Sequence, residues 1–448
     1  TLQSPPPCRA LTVGEAVDTA LQRNPQIAAQ AKTAEAARWR LEQQYAGYYP
    51  SLDVAGSQTH SESQNSVFIS GVATAANSVS SGAITTKRDN SSIQLSVNQT
   101  LIDFGQRKLR VEAARDTYEA SLQDLSKTRQ DVTFNVRDAF FTAFVNQVLV
   151  EIQQQTVAAR QLHLRQAEGF YEAGVRARNE VTQARADLAQ AELQLVQALG
   201  TLRSSWVTLN VAMGLPRSDA YTLTVPAIDR IDVTLDRDHL LDVALAWRPE
   251  LRGLQARIRA QIANLQEVYA QRFPIISANA GYGFAGPPSP LDQAWSVGVR
   301  LNWNLFNGFL SHFQASEARA LAENLLLQLE QTRQQVYSQV ETDYITYEQS
   351  RTAIGAARVS LESAQQNYHL AQQRYQVGLG NYLEFTDAQV SLSRAQTDLA
   401  QAEKNLRTAR ARLELDVGVP SLDQLPAPAP PVKPEAIPGS KMTIPSVP

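Results

Sequence analysis

The strongest constraint on this chain is that it repeats itself. Asn24-Pro25-Gln26-Ile27, Tyr45 and Tyr49-Pro50 recur as Arg248-Pro249-Glu250-Leu251, Tyr269 and Phe273-Pro274, each 224 positions later. Further on the offset is 204: Leu101-Ile102-Asp103-Phe104-Gly105 matches Leu305-Phe306-Asn307-Gly308-Phe309, Gly174 matches Gly378, Glu180 matches Glu384, and Met213-Gly214-Leu215-Pro216 matches Val417-Gly418-Val419-Pro420. Length alone suggests about three domains. The duplication overrides that count and divides the chain into two structural repeats, 1–216 and 217–420, with a tail at 421–448. The change of offset places 20 extra residues between Pro50 and Leu101 of the first repeat. Ser, Asn, Gly and Thr crowd there from Gln58 to Asn90, so the insertion reads as a long loop.

Within each repeat the hydrophobic period passes from helical to strand-like and back. Ile93, Leu95, Val97 and Leu101 alternate with Gln94, Ser96, Asn98 and Thr100. Trp295, Val297, Val299, Leu301, Trp303 and Leu305 alternate in the same way with Ser296, Gly298, Arg300, Asn302 and Asn304. Leu52 and Val54, then Ile276, Ala278, Ala280, Tyr282 and Phe284, supply weaker partner strands, which gives one hairpin per repeat, at about 51–103 and 275–306. After each hairpin a helical pattern runs for roughly 65 residues, far beyond an ordinary globular helix, and at ~1.5 Å per residue spans about 100 Å. It breaks at Gly174 and Gly378 and resumes with threes and fours, as in Leu188, Ala191, Leu195, Leu199, Leu202, Trp206, Leu209 and Met213. Long antiparallel helix pairs are therefore expected at 105–213 and 308–417, ending at Pro216 and Pro420. From Ala427 onward the tail, with Pro428, Pro430, Pro431, Pro434 and Pro438, is too proline-rich for packed structure.

Several classes of function drop out on composition. Forty-one basic against 44 acidic residues give a net charge of −3 and no basic face for nucleic acid. A single cysteine, Cys8, excludes an internal disulfide and a cysteine-based zinc site. No run approaches the ~18 apolar residues of a membrane helix; the most apolar helical stretch, Ala139 to Ile152, is interrupted by Thr142, Asn146 and Gln147. If the chain spans a membrane, it does so with strands. Gly281 to Gly286 matches GxGxxG, but Pro287, Pro288 and Pro290 follow instead of a helix, so the run reads as a hairpin tip and not a dinucleotide site. No Walker loop, HExxH or GxSxG motif occurs, and the five histidines lack ligand spacing, so neither an enzyme nor a cofactor is expected. The first residues lack a positive and an apolar signal region and read as a mature or trimmed start.

A sheet with one apolar and one polar face is useful in a bilayer only when closed, because open edges leave backbone groups unpaired in hydrocarbon. Four strands cannot close. Two copies would supply eight strands and a filled interior, whereas three would supply twelve and leave a channel. A soluble sandwich on helical stalks is the alternative, but it buries Arg300, Asn302 and Asn304 without partners. Trp295, Trp303, Tyr282, Phe284 and Phe306 suit an interfacial aromatic belt, and strand packing explains them almost equally well.

The ordered motifs YYPSLDVAGS, LIDFGQ and RYQVGLGNYLEFTDAQ, within the twofold repeat, resemble the TolC family of outer-membrane efflux and secretion channels over nearly the whole chain. The resemblance implies an α+β membrane protein: a homotrimer whose 12-stranded transmembrane β-barrel continues into a periplasmic α-helical barrel, in the outer membrane of a Gram-negative cell. It further implies a periplasmic adaptor and an inner-membrane transporter as partners, with outer-membrane lipid around the barrel. Helix 1 starts soon after the amino terminus and Cys8 follows three prolines, a poor lipobox, so no lipid anchor is expected and the chain looks most like the type I secretion, CyaE-like branch that exports toxins with an ABC transporter. A multidrug channel served by a proton-driven pump is the alternative, and a trimeric coiled-coil scaffold or adhesin is an alternative of another class.

By motif, Glu384 and Asp387 match the family's acidic pair at the periplasmic entrance, where three copies would form carboxylate rings that select ions. Read from the residues alone, they equally place acid in the first turn of a helix. Glu180 and Tyr375 match links that hold the tunnel shut; Gly380 stands where a basic locking residue is expected, which leaves Arg176 or Arg178 as replacements. Gly174 and Gly378 suit helix ends in the left-handed region, and the turns around Val175 and Leu379 are the expected docking surface for the adaptor.

Overall fold

The computed structural model describes residues 9–67, 82–175, 177–216, 220–225, 235–287, 291–377 and 379–422. Cys8, Arg176, Gly378 and nearly all of the tail lie outside these residues. In the first repeat, β1 (Arg9–Thr12) leads into α1 (Val13–Arg23) and α2 (Pro25–Ala46), followed by β2 (Ser51–Val67), β3 (Gly82–Ile102), α3 (Gln106–Glu172) and α4 (Arg178–Ala212). After β4 (Tyr221–Thr224) the second repeat gives α5 (Arg237–Trp247), α6 (Pro249–Ala270), β5 (Ile275–Gly286), β6 (Asp292–Asn302), α7 (Leu310–Gln376) and α8 (Tyr382–Val417). The starts of α5, α6 and β5 stand 224 positions after those of α1, α2 and β2, and those of α7 and α8 stand 204 after those of α3 and α4. The duplication read from the sequence is thus a duplication of structure.

Local chemistry sets the helix starts. The Thr12 hydroxyl accepts from the Glu15 N–H while the Glu15 carboxylate accepts from the Thr12 N–H, a reciprocal cap for α1. Asn24 caps α2, and prolines open both α2 and α6, where their missing N–H costs nothing. Each 67-residue helix follows a tight reversal in which two consecutive residues have positive φ: Phe104 and Gly105 before α3, Gly308 and Phe309 before α7. At the first reversal Asp103 accepts from the N–H groups of Gly105 and Arg107 and from the Arg107 guanidinium, which also donates to the carbonyls of Gly47 and Thr100. One ion pair therefore ties strand end, helix start and α2 corner together.

The main sheet is antiparallel in the order β2-β3-β5-β6. Its register aligns the apolar residues in rows: Leu52, Val97, Ala280 and Val297 form one, and Val54, Leu95, Tyr282 and Trp295 the next. The opposite face carries Asp53, Ser96, Gly281 and Ser296 in one row and Thr100, Ser277 and Arg300 in another. Every member of the apolar rows on β6 is exposed, with Val297 at 76%. The loop expected from Gln58 to Asn90 is corrected: β2 and β3 stay paired from Ser51↔Asn98 to Val67↔Gly82 without a register shift, and only residues 68–81 lie outside the description. Asn and Gly depress strand propensity, but the ladder is made by backbone groups and needs no apolar face once the ribbon stands clear of the sheet. Gly281–Gly286 is likewise not a tip but the second half of β5, where a Cβ on Gly283 would lie 2.3 Å from the Ile93 carbonyl. β6 ends at Asn302, so Asn304, Leu305 and Phe306 belong to the turn that follows.

A second, two-stranded parallel sheet, β1 with β4, was not legible from the sequence because each strand has only four residues. Along the helices, α3 packs on α2, α4, α6 and α8, and α7 packs on α6 and α8. Each repeat has a large hydrophobic cluster: Val132, Val136, Phe140, Leu209 and Met213 anchor the first, and Leu240, Ile258, Leu265, Leu413 and Val417 the second, while a small cluster of Ala167, Val181 and Ala184 lies toward the α3–α4 turn.

The ends of each repeat meet there. Gly214, at φ +74, closes α4 against the α1–α2 corner, where Asn24 Nδ2 donates to the Ala212 carbonyl at 2.9 Å. A Cβ on Gly214 would stand 2.7 Å from both the Arg23 carbonyl oxygen and the Asn24 Cα. Gly214→Ala is accordingly expected to lose about 2–3 kcal/mol from left-handed strain and this clash, read as a lower urea midpoint with an unchanged m-value. Gly418, at φ +79, occupies the equivalent place beside Arg248.

Candidate functional site

About 100 Å from the sheet, the helix pairs reverse. The α3–α4 turn closes with the Val175 N–H on the Phe170 carbonyl and the Gly174 N–H on that of Tyr171, and Gly174 lies at φ +69, as expected of a glycine ending a helix. Val175 is 68% exposed and, on the α7–α8 turn, Leu379 is 78% exposed. Among the described residues, both turns thus leave an apolar side chain exposed.

Next to these turns, Asn381 caps α8 by accepting from the Glu384 N–H at 2.7 Å. Glu384 and Asp387, one turn apart on one helix face, are both exposed. Arg374 lies 3.5 Å from Glu384, an exposed pair worth little in stability. Gly380 is buried, and a Cβ there would meet the Tyr375 nitrogen at 3.1 Å and the Arg374 carbonyl carbon at 3.2 Å. Backbone packing therefore favours glycine at that position. Glu180 is half buried in the first turn of α4, which Arg178 opens in exposed position. Tyr375 is buried at the end of α7, its ring 5.5 Å from Phe385 and 5.3 Å from His163.

Inboard of the turns lies a polar cluster that the sequence reading missed. Arg160 and His163 of α3 are both buried. Arg160 Nη1 is 3.8 Å from the Asp187 carboxylate of α4, to which the Tyr382 hydroxyl of α8 donates. Burial, then the hydrogen bond to Asp187, pushes the Tyr382 phenol up to about 12. Burial, reinforced by the Arg160 charge and opposed by Asp187, pushes the His163 imidazole down to about 4. A cavity of about 300 Å³ opens beside Arg160 and Asp187, lined further by Gln153, Thr156, Thr386 and Gln389. The signal was present: Val157, Arg160, His163 and Ala167 follow each other by three, three and four, so an arginine and a histidine sit on the buried stripe of α3.

The sequence profile of the family described as Outer membrane efflux protein matches residues 16–215 and 240–419, both repeats. The Antibiotic efflux pump outer membrane protein ArpC of Pseudomonas putida is 24% identical over 216 residues, 46% of this chain and 43% of that protein. The Outer membrane efflux protein BepC of Brucella suis biovar 1 is 22% identical over 300 residues, 61% of this chain and 62% of that protein. The chain thus aligns with less than half of the first relative and about three fifths of the second. Among solved structures, the outer-membrane channel OprN superposes with a TM-score of 0.76 at 20% identity, covering 91% of this chain and 89% of that one. VceC from Vibrio cholerae superposes at 0.71 with 19% identity, covering 91% and 96%. At such identities the superpositions establish a shared fold. With both repeats matched, the chain belongs to the outer membrane efflux protein family, a transport family of the outer membrane that reaches into the periplasm.

Proposed function

We propose that three copies of this chain assemble into a channel, as the exit duct of a tripartite export system completed by a periplasmic adaptor and an inner-membrane transporter. The carrying observation is the four-stranded sheet, apolar on one face and polar on the other, with β2 and β6 at its edges. Those edges run antiparallel to each other, so β6 of one copy pairs with β2 of the next, and closure satisfies the backbone in hydrocarbon. The helices carry matching signs: Leu193, Val196, Val207 and Val211 on α4 and Leu321, Leu327, Tyr337 and Ile345 on α7 are exposed in the single chain, and α4 and α7 are the outer members of the series α4-α3-α8-α7. Twelve strands leave a lumen where eight are filled. The polar rows ending at Arg300 face that lumen, and Glu384 and Asp387 ring its periplasmic mouth.

Purified oligomer in planar bilayers is expected to give small, cation-preferring currents. Glu384→Ala with Asp387→Ala should abolish the preference and keep the conductance. Currents of unchanged selectivity would remove these residues from the mouth, and an oligomer that never inserts would sink the duct itself.

Cargo divides into two readings. The named relatives are outer-membrane efflux proteins, one of them of an antibiotic efflux pump, which favours small drug-like compounds; the resemblance to a family of both efflux and secretion channels leaves a toxin moved by an ABC transporter as the second reading. Deleting the gene is expected to raise sensitivity to solvents and hydrophobic drugs at least fourfold with the secreted protein profile intact. Loss of one secreted protein at unchanged sensitivity would select the toxin reading.

A further inference from the structure

The His163 ring lies inside the helix bundle, 2% exposed, with neither nitrogen hydrogen-bonded. It packs 4.5 Å from Tyr382, 5.3 Å from Tyr375 and 5.7 Å from Phe385 by ring centroids. It is therefore a contact of α3 with both arms of the α7–α8 turn, beside the Phe170–Tyr375 ring pair. We propose that His163 is an acid-labile latch, whose neutral ring clamps that turn onto α3 and whose protonation releases it.

The groups around the ring decide the sign. Arg160 on its own helix repels an imidazolium, and Tyr375 from α7 and Tyr382 and Phe385 from α8 offer rings. Asp187 from α4 supplies the nearby carboxylate, but the Tyr382 hydroxyl and the Arg160 guanidinium already engage it. An imidazolium needs acceptors for two N–H groups, and the ring faces attract a cation without accepting either bond in line. The 300 Å³ cavity beside Arg160 and Asp187 offers polar space within one helical turn of His163, so the charged ring gains solvation by swinging toward it and leaving the aromatic contacts. In the second repeat the position 204 residues on is Asn367, which does not titrate, so one latch exists per chain.

The direction follows from linkage. The ring binds its proton less readily in the packed state, at about 4, than in the free state at 6.5. Packing is fully favoured above the free value and is lost as the pH falls through 6.5 toward 4. Between pH 7.5 and 5 the released turn should gain roughly thirty-fold in population. This inference rests on the duct reading only for its consequence, that release widens the mouth.

The test is hydrogen–deuterium exchange of the whole solubilised protein at pH 7.5 and 5.0, corrected for the intrinsic rate, with bilayer currents recorded in parallel. Peptides covering 157–172 and 371–390 should lose protection by about thirty-fold, peptides of α6 should not, and His163→Phe and His163→Gln should both stay flat. Unchanged protection in the wild type overturns the latch. The same loss in both variants also overturns it, and assigns the acid response to groups other than His163. Wild-type loss of protection without a rise in current upholds the latch and counts against the duct.

Discussion

Arg248→Ala is expected to be the most destabilising single change in the helical half, costing about 3–5 kcal/mol. Arg248 ends α5 and begins α6, is 5% exposed, and binds Glu250 at 2.7 Å, Gln339 at 2.8 Å and the buried Asp416 at 3.4 Å. It thereby connects the α5–α6 corner to α7 and to the last turn of α8. Removing it leaves Asp416 with one of its two paired cations, Arg412, which lies 2.8 Å from one of its oxygens. A buried carboxylate that loses a partner forfeits the interaction and keeps the desolvation penalty. The neighbouring Asp343 sharpens the effect: burial first, then the hydrogen bond and charge of Asp416, hold its carboxyl above the ordinary range, while Arg412 and Arg248 oppose that rise. Chemical denaturation of the purified oligomer should show the loss directly, and Arg248→Met combined with Asp416→Asn should recover more than half of it, since the double change removes both charges. A double variant no better than Arg248→Ala would show that Arg248 acts through packing instead of charge.

Val297→Arg should cost about 2–4 kcal/mol per chain when the face it occupies meets lipid. Val297 sits in the central apolar row, with Leu52, Val97 and Ala280, on edge strand β6. Its neighbour Ser296 points to the opposite face, in the row of Asp53, Ser96 and Gly281. Ser296→Arg is therefore the matched control, and water in the lumen should accommodate it. Membrane-inserted, heat-resistant oligomer, measured in cells expressing either variant, should fall at least tenfold for Val297→Arg and by less than twofold for Ser296→Arg. Equal yields would mean that the apolar rows do not face lipid. The fourfold repetition of that face around Leu52, Val97, Ala280 and Val297 argues that they do, because a soluble sheet leaving such rows exposed invites aggregation.

Much of this architecture was legible in one dimension because the relevant signals are periodic and local. A strand with one apolar and one polar face alternates every two residues, a packed helix every three to four, and a duplicated chain repeats its punctuation at Pro25 and Pro249, Gly174 and Gly378, Gly214 and Gly418. The order of helices, hairpin and long helix pair within each repeat follows from such signals, whereas β1 and β4 do not, and the family motif singles out Glu384 and Asp387. The length of the β2–β3 ribbon does not follow either, because its polar composition resembles a loop while its stability comes from backbone pairing between segments some thirty residues apart, as in His60↔Asp89.

What the tertiary structure alone decided is who meets whom. Arg160, His163, Asp187, Tyr375 and Tyr382 come from four helices, and nothing in their spacing says that they converge. Likewise, Arg248 and Asp416 stand 168 positions apart and touch only because α8 returns to the corner where α6 begins. Periodicity states which face of an element is buried, but the partner of a buried polar group is set by the packing of whole helices. That is why the amino-acid order alone determined the repeat, the two-faced strands and the long helices, while the latch at His163 and the ionic joint at Arg248 appeared only once the helices were placed.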